Sequence, residues 1–100
     1  MRIVAWANLA DFMRIHPEVR VPLVRWRDVV KGATWRSMDD VRAAFSNAVV
    51  LNGERVRFEI AGGNYRLIVA FKFGSQIAFV KFIGTHKEYD KIDALEVVQF

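Results

Sequence analysis

The sequence predicts an α+β fold, in which helices from the first half of the chain pack on one face of a mainly antiparallel, twisted sheet. Apolar residues recur at helical spacing up to about residue 45, and from Arg55 onward they alternate with polar residues, as in half-buried strands. Gly62-Gly63 and Gly74-Ser75 separate the alternating segments and are typical of hairpin turns. With 100 residues, 53% of them hydrophobic, we expect one domain over residues 1–100 with its own core.

The first half is predicted to begin with one strand and two helices. Arg2 to Trp6 is short, apolar and β-prone, which favours a strand. Asn8 is a suitable N-cap for the first helix, and Pro17 prevents that helix from continuing. Pro22 suits the first turn of a second helix that ends near Gly32.

A third helix and three strands are predicted to follow. Ser37 and Asp40 form a capping signal for a short helix over Met38 to Phe45. Alternation then predicts strands over Arg55 to Ile60, Tyr65 to Phe73 and Gln76 to Ile83.

The charge balance favours a polyanionic partner. Lys and Arg number 15 against 11 Asp and Glu, which gives a net charge of +4. Most of these cations are arginines, whose planar guanidinium group binds phosphate in a bidentate manner. Many small proteins are basic without binding nucleic acid, so the charge alone does not decide the function.

Several classes of protein and site are disfavoured. Cysteine is absent, which excludes disulfides, thiolate catalysis and cysteine-based zinc sites. The two histidines leave any metal site dependent on carboxylates, so we expect neither a metal nor another cofactor. No apolar run is long enough for a transmembrane helix, and the first 17 residues are unlike a signal peptide. We therefore expect a cytoplasmic protein without a membrane partner.

The two turns predict which strand residues lie opposite one another. Two-residue turns at Gly62-Gly63 and Gly74-Ser75 would form the pairs Phe58–Leu67, Val56–Val69, Val69–Val80 and Leu67–Phe82. These pairs form an apolar face that must carry the helices. A register shift of one residue would exchange the two faces, so the prediction depends on the turns.

The opposite face is predicted to collect five cations and one carboxylate: Arg55, Arg57, Glu59, Arg66, Lys72 and Lys81. Glu59 would lie across from Arg66, and an ion pair would explain these two without any function. The other four cations on the same face favour a phosphate-binding surface. This face also carries Ile68, Ile77, Phe79 and Ile83, which predicts cover by the C-terminal segment and by a partner.

A capping box is predicted at the C-terminal end, with Thr85 as the N-cap and Glu88 at the third helical position. It opens a short C-terminal helix and places His86 and Lys87 in the first turn. Free backbone N–H groups and the helix dipole attract anions there. Tyr89 follows them on the next turn.

These residues resemble the HigB-type toxins of type II toxin–antitoxin systems, which belong to the RelE-like superfamily. The resemblance covers the second half of the chain strongly and the helical half in general layout. It rests on a Gly-Gly-Asn-x-Arg-Leu turn followed, at this distance, by Thr-His-x-Glu-Tyr-Asp. The segments that carry it are Phe58–Ile60, Gly62–Ile68 and Phe82–Asp90.

The resemblance implies a RelE-like fold and a ribosome-associated messenger RNA (mRNA) endonuclease that inhibits translation. It also implies a helix-turn-helix antitoxin of the HigA type, encoded alongside. Contact with DNA would then occur only through that antitoxin.

Cleavage of RNA without a metal requires a base, an acid and cations that stabilise the phosphorane. Glu59 is the best candidate for the base and His86 for the acid, although the positive end of a helix favours neutral imidazole, so the two roles can be exchanged. Arg66 would stabilise the transition state, and Tyr89 would stack on a base or donate a proton. The candidate phosphate-binding residues are Arg55, Arg57, Lys72, Lys81 and Lys87.

Two alternative functions remain at the level of the sequence. The same basic face could serve a non-catalytic RNA- or partner-binding module. The apolar residues of that face could instead dock a regulatory peptide in a plain interaction domain.

Overall fold

A computed structural model describes all 100 residues and shows helices packed on one face of a five-stranded sheet. The helices are α1 (Trp6–Ile15), α2 (Arg20–Lys31), α3 (Met38–Ala44) and α4 (His86–Tyr89). The strands are β1 (Arg2–Val4), β2 (Val49–Val50), β3 (Arg55–Ile60), β4 (Tyr65–Lys72) and β5 (Ile77–Thr85). None of the helices has the length and apolar character needed to span a lipid bilayer.

The sheet has the strand order β1-β5-β4-β3-β2. All neighbouring strands are antiparallel except β1, which pairs with β5 in parallel. The core lies between the sheet and the helices, where Leu9, Leu23 and Trp26 are buried with Phe58 and Leu67. The predicted α+β fold with a mainly antiparallel sheet is confirmed, and the two-residue strand β2 was not predicted.

The start of α1 differs from the prediction. Ala5, not Asn8, occupies the N-cap position, and its φ of 76° is in the left-handed region. This conformation turns the chain out of β1 after Val4, so that the helix begins before Asn8 can cap it. Pro17 ends α1 as predicted, and it opens a 3₁₀ turn that leads directly into α2.

The next two helix predictions are largely confirmed. Pro22 lies in the first turn of α2, and Gly32 is its C-cap. Ser37 is the N-cap of α3, but its side chain makes no capping hydrogen bond. Asp40 instead accepts a hydrogen bond of 2.9 Å from the backbone N–H of Arg36. The turn before α3 is therefore fixed by Asp40, and the helix ends at Ala44.

The register between strands is as predicted, with one exception. Phe58 lies opposite Leu67, Val56 opposite Val69, and Val69 opposite Val80. The predicted pair of Leu67 and Phe82 is wrong, because a β-bulge shifts the register between Ile68 and Val69. Leu67 faces Ile83 instead.

The bulge exchanges the faces of two apolar residues. Val80 and Phe82 pair with successive residues of β4, which leaves Lys81 as the extra residue on β5. Ile83 consequently joins the core, and Phe82 lies on the opposite, polar face. The prediction that placed Ile83 on the polar face is thereby corrected.

The C-terminal segment crosses the polar face, as the apolar residues of that face predicted. Nη1 of Arg55 donates hydrogen bonds of 3.1 Å to Ala94 O and 2.7 Å to Val97 O. The N–H of Gln99 donates to Lys81 O at 2.9 Å, and its side chain accepts from the N–H of Ile83 at 2.8 Å. The segment thus lies against β3 and β5 and leaves only part of the polar face accessible.

Candidate active site on the polar sheet face

Four side chains meet at the end of the polar face that borders α4, and we call Arg57, Glu59, Arg66 and Tyr89 the active-site cluster. Glu59 Oε1 lies 3.8 Å from Arg57 Nη2 and 3.8 Å from Arg66 Nη2. The predicted register brings them together, because Glu59 is opposite Arg66 and two residues from Arg57 on the same strand. One carboxylate therefore lies between two guanidinium groups.

Arg66 is held by the turn that precedes it. Its Nη1 donates a hydrogen bond to Gly63 O, and only 14% of its side chain is exposed. Gly63 has a φ of +91°, and a Cβ there would contact Arg66 Nη1 at 3.5 Å and Glu59 Oε2 at 3.6 Å. The Gly62-Gly63 turn thus both connects β3 to β4 and orients the guanidinium group of Arg66.

Tyr89 covers the two arginines from α4. Its ring centroid lies 5.4 Å from Arg57 Cζ and 5.9 Å from Arg66 Cζ, which are cation–π distances. The phenol oxygen accepts a hydrogen bond of 3.4 Å from Arg57 Nη1. Phe82 supports the ring from the sheet in an edge-to-face arrangement, with the two ring centroids 6.4 Å apart. The ring is fixed by contacts on both sides, whereas the phenol proton stays free to be donated.

His86 opens α4 and is exposed. The predicted capping box is present, since Glu88 N–H donates to Thr85 Oγ1 and Thr85 N–H donates to Glu88 Oε1. Nδ1 of His86 lies 3.8 Å from Asp90 Oδ2, one turn further along the helix. This carboxylate faces Nδ1, which leaves Nε2 available to a substrate.

The anion-binding character expected of the helix start is largely absent. The N–H of His86 donates to Asn64 O at 3.0 Å, and the N–H of Glu88 is used by the cap. Anions at this end must therefore be bound mainly by side chains rather than by free backbone groups.

The cap also affects the ionisation of Glu88. The backbone N–H of Thr85 donates to its carboxylate, and this hydrogen bond holds the pKa of Glu88 below its usual value. Glu88 is consequently a charged structural residue at neutral pH and not a proton donor.

A second polar group lies behind α4, where Tyr65 meets the end of α1. The Tyr65 hydroxyl donates to Glu18 and lies 3.2 Å from His16 Nδ1. The hydrogen bond raises the pKa of Tyr65 and lowers that of Glu18. Tyr65 therefore anchors the start of β4 to the helices, and its proton is not available for chemistry on the polar face.

The remaining predicted phosphate-binding residues lie elsewhere. Arg55 is only 8% exposed and is occupied by the C-terminal carbonyls, so we treat it as a tether of that segment. Lys72 lies at the far end of the polar face, Lys81 lies at the bulge in the middle of β5, and Lys87 is exposed on α4. The structure thus gathers part of the predicted surface into one cluster and separates the rest.

The cluster can bind an anion and can transfer protons. Two guanidinium groups face one carboxylate, which leaves one positive charge uncompensated. Arg57 Nε is buried without a hydrogen-bond partner, so the accessible donors of this group are at its Nη atoms. No three His, Asp or Glu side chains lie close enough together to hold a metal ion.

Three residues that shape the cluster were not predicted from the sequence. Gly63 was assigned only to a turn, and its position three residues before Arg66 was the available signal. Asp90 follows His86 by one helical turn, which could have identified it as a partner. Gly84 is the third residue, and the Phe82 ring leaves no room for a side chain there. The sequence gives no signal of this, because the position of the ring depends on the bulge.

The chain is similar in sequence to known proteins of one toxin family. The family model of HigB toxins, described as the RelE-like toxic component of a toxin–antitoxin system, matches residues 19–92, which include the whole cluster and His86. The chain is also 29% identical over 97 residues to the mRNA interferase HigB of Escherichia coli O6:H1 strain CFT073. That match covers 92% of this chain and 91% of the relative.

Proposed function

We propose that the chain, which belongs to the HigB toxin family, cleaves mRNA at the active-site cluster. This family is the RelE-like toxic component of a toxin–antitoxin system. The observation that carries the proposal is the placement of the Glu59 carboxylate between the guanidinium groups of Arg57 and Arg66. Such an arrangement places a proton acceptor beside two cations that can bind one phosphate. The similarity to an mRNA interferase supports RNA as the substrate.

The reaction is an attack of a ribose 2′-oxygen on the adjacent phosphorus. Glu59 takes the proton of the 2′-hydroxyl as the new oxygen–phosphorus bond forms. The bond from phosphorus to the 5′-oxygen breaks, and the leaving oxygen takes a proton from His86. The products are a 2′,3′-cyclic phosphate and a 5′-hydroxyl end, and no metal or other cofactor is needed.

The other residues of the site stabilise charge and position the strand. Arg57 and Arg66 stabilise the additional negative charge of the phosphorane, and preorganised cations of this kind contribute about 10²–10³ in rate. Tyr89 stacks on a nucleobase or holds the arginines, because its ring lies over both. Lys87, together with the more distant Lys72 and Lys81, contacts phosphates along the strand.

The polar face also supports a larger assembly. We propose that the chain acts in the cytoplasm on mRNA bound to the ribosome and thereby inhibits translation. Its antitoxin is proposed to be a helix-turn-helix protein of the HigA type, through which the toxin is held near DNA. The exposed apolar side chains of Leu95, Val98 and Phe100 on the C-terminal segment provide area for such contacts.

The proposal is tested by mapping new 5′ ends in mRNA by primer extension from cells that express the chain. We expect cuts within translated frames and growth arrest. Arg66→Ala should abolish both while the protein remains folded, because Arg66 contacts the site and not the core. Arg20→Ala, which removes the same charge from the exposed start of α2, is the matched control and should remain toxic.

Purified protein then tests the chemistry. A substrate with a 2′-deoxy sugar at the cut position lacks the nucleophile and should stay intact. Absence of cuts with the wild-type chain, or cleavage of the deoxy substrate, would contradict the proposed reaction.

A further inference from the structure

Phe79 forms a separate aromatic patch on the polar face. It lies on β5 opposite Ala70, whereas the active-site cluster lies beside Arg66 on β4. Four residues of a strand span about 13 Å, so the two sites are well separated. Between them Ile68 is fully buried although it lies outside the core, because the C-terminal segment crosses here.

Two lysines hold their ammonium groups over the same ring at cation–π distances. Lys72 Nζ is 5.9 Å and Lys81 Nζ is 5.4 Å from the Phe79 ring centroid. Lys81 is the extra residue of the β-bulge, and it shares this face with Phe79 because the two are separated by one residue on β5. Lys72 reaches the ring from β4, so the two ammonium groups come from neighbouring strands.

We propose that Phe79, Lys72 and Lys81 form a stacking site for an unpaired RNA base, outside the cleavage site. This inference rests on the proposed function for the identity of the nucleic acid. Single-stranded nucleic acid is bound where an aromatic ring stacks on a base and nearby cations contact the flanking phosphates. The half-buried Phe79 ring supplies the aromatic surface, and the two lysines supply the cations.

The site binds RNA without taking part in the reaction. Neither lysine forms an ion pair with a carboxylate, so both charges remain available. The C-terminal segment, which bonds to Arg55 and Lys81, separates the site from Glu59 and Arg66. Its loss should therefore weaken substrate binding and leave the chemical step unchanged.

The affinity is measured by fluorescence anisotropy with a labelled 2′-O-methyl oligoribonucleotide of about 12 nucleotides, a length within the usual range of single-strand sites. The methyl group removes the nucleophile, so binding is observed without cleavage. Phe79→Leu keeps an apolar side chain but removes the aromatic surface, and it should weaken binding about 10-fold to 100-fold. Phe79→Tyr keeps the aromatic surface and should bind the oligonucleotide as tightly as the wild type.

The lysines have their own control. Lys72→Ala should weaken binding of the oligonucleotide, whereas Lys31→Ala, which removes the same charge from the end of α2, should not. With a cleavable RNA, Phe79→Leu should raise KM and leave kcat unchanged.

The source of the RNA is resolved by repeating the measurement with purified ribosomes. A loss of affinity for the oligonucleotide identifies a message strand, and a loss for ribosomes alone identifies ribosomal RNA. Either loss supports the stacking site. Unchanged affinity of Phe79→Leu for both, or a loss confined to antitoxin binding, would overturn it.

The two proposals fail separately. If Phe79-dependent binding occurs but the wild-type chain cuts no RNA, the stacking site stands and the proposed nuclease function fails. If RNA is cut with the same KM by Phe79→Leu, the nuclease function stands and the stacking site fails.

Discussion

The ring of Tyr89 lies over the guanidinium group of Arg57, 5.4 Å from Cζ, and its phenol oxygen accepts a hydrogen bond from Nη1 of the same group. One aromatic side chain thereby fixes an arginine that lies 3.8 Å from Glu59. The arginine is held in place before a phosphate arrives, which lowers the reorganisation required during the reaction.

This contact predicts different effects for two substitutions of Tyr89. Tyr89→Phe removes a long hydrogen bond of 3.4 Å but keeps the ring, so the cleavage rate should fall by less than about 10-fold. Tyr89→Ala also removes the ring from Arg57 and Arg66, and it should reduce the rate further. Single-turnover cleavage of a short RNA measures both. A fall of about 10² or more for Tyr89→Phe would instead show that the phenol transfers a proton.

The sequence could predict this cluster because its two strands are joined by a short turn. Gly62-Gly63 sets the register of β3 and β4, and the register alone brings Glu59 opposite Arg66. The capping box was equally visible, since Thr85 and Glu88 stand at the required spacing.

Other features depend on contacts that leave no local pattern. Alternation of apolar residues could not reveal the bulge at Lys81, because Phe82 and Ile83 are both apolar and either can face the core. The buried position of Arg55 is set by a C-terminal segment about 40 residues away in sequence. Ala5 adopts a left-handed conformation that glycine in the sequence would have indicated but alanine does not.

The cations of the polar face predict a salt-dependent affinity for RNA. Each phosphate neutralised on a single strand adds about 0.7 to the slope of log affinity against log salt, so three to five contacts give roughly −2 to −4. Arg66→Ala should reduce the slope by about 0.7. The measurement is anisotropy of an uncleavable oligonucleotide over a range of salt concentrations. A flat response would rule out binding by this face.

Gly84 is predicted to be intolerant of a side chain. A Cβ there would lie 2.6 Å from Cζ of Phe82 and 3.3 Å from Cβ of Glu88. Phe82 is buried between the sheet and Tyr89, so its ring has little room to move. Gly84→Ala should therefore destabilise the fold by about 1–3 kcal/mol, measured by urea denaturation.

Gly74 provides the matched control for this substitution. A Cβ at Gly74 would meet nothing within 4 Å, and its φ is not in the left-handed region. Gly74→Ala should leave the stability nearly unchanged. Equal effects at the two glycines would contradict the packing described around Phe82.

The capping box predicts how stability depends on pH. The pKa of Glu88 is lower in the folded chain than in the unfolded chain, because the Thr85 N–H donates to the carboxylate. Its contribution is therefore present above the unfolded pKa and is lost as the pH falls through the folded pKa. Glu88→Gln should be less stable than the wild type at neutral pH, and the difference should shrink in acid. A difference that grew in acid would contradict the cap, and denaturation series at several pH values measure it.

His86 is the residue on which proton transfer to the leaving oxygen depends. It is exposed, its Nδ1 faces Asp90, and its backbone N–H is already bound to Asn64 O. His86→Gln keeps that backbone contact and the helix start, so it should lower the cleavage rate by about 10²–10⁴ with little change in affinity for RNA. Single-turnover rates and anisotropy measure the two quantities.

Thr85→Ala separates this chemical role from a structural one. It removes the hydroxyl that accepts the N–H of Glu88 and should cost about 1 kcal/mol of stability, with only an indirect effect on cleavage. If both substitutions lowered stability and rate to the same extent, His86 would act only through the helix start. If His86→Gln cut RNA at the wild-type rate, the acid would have to come from the active-site cluster instead. Tyr89 would be the candidate, because its hydroxyl accepts from Arg57 and keeps its own proton free.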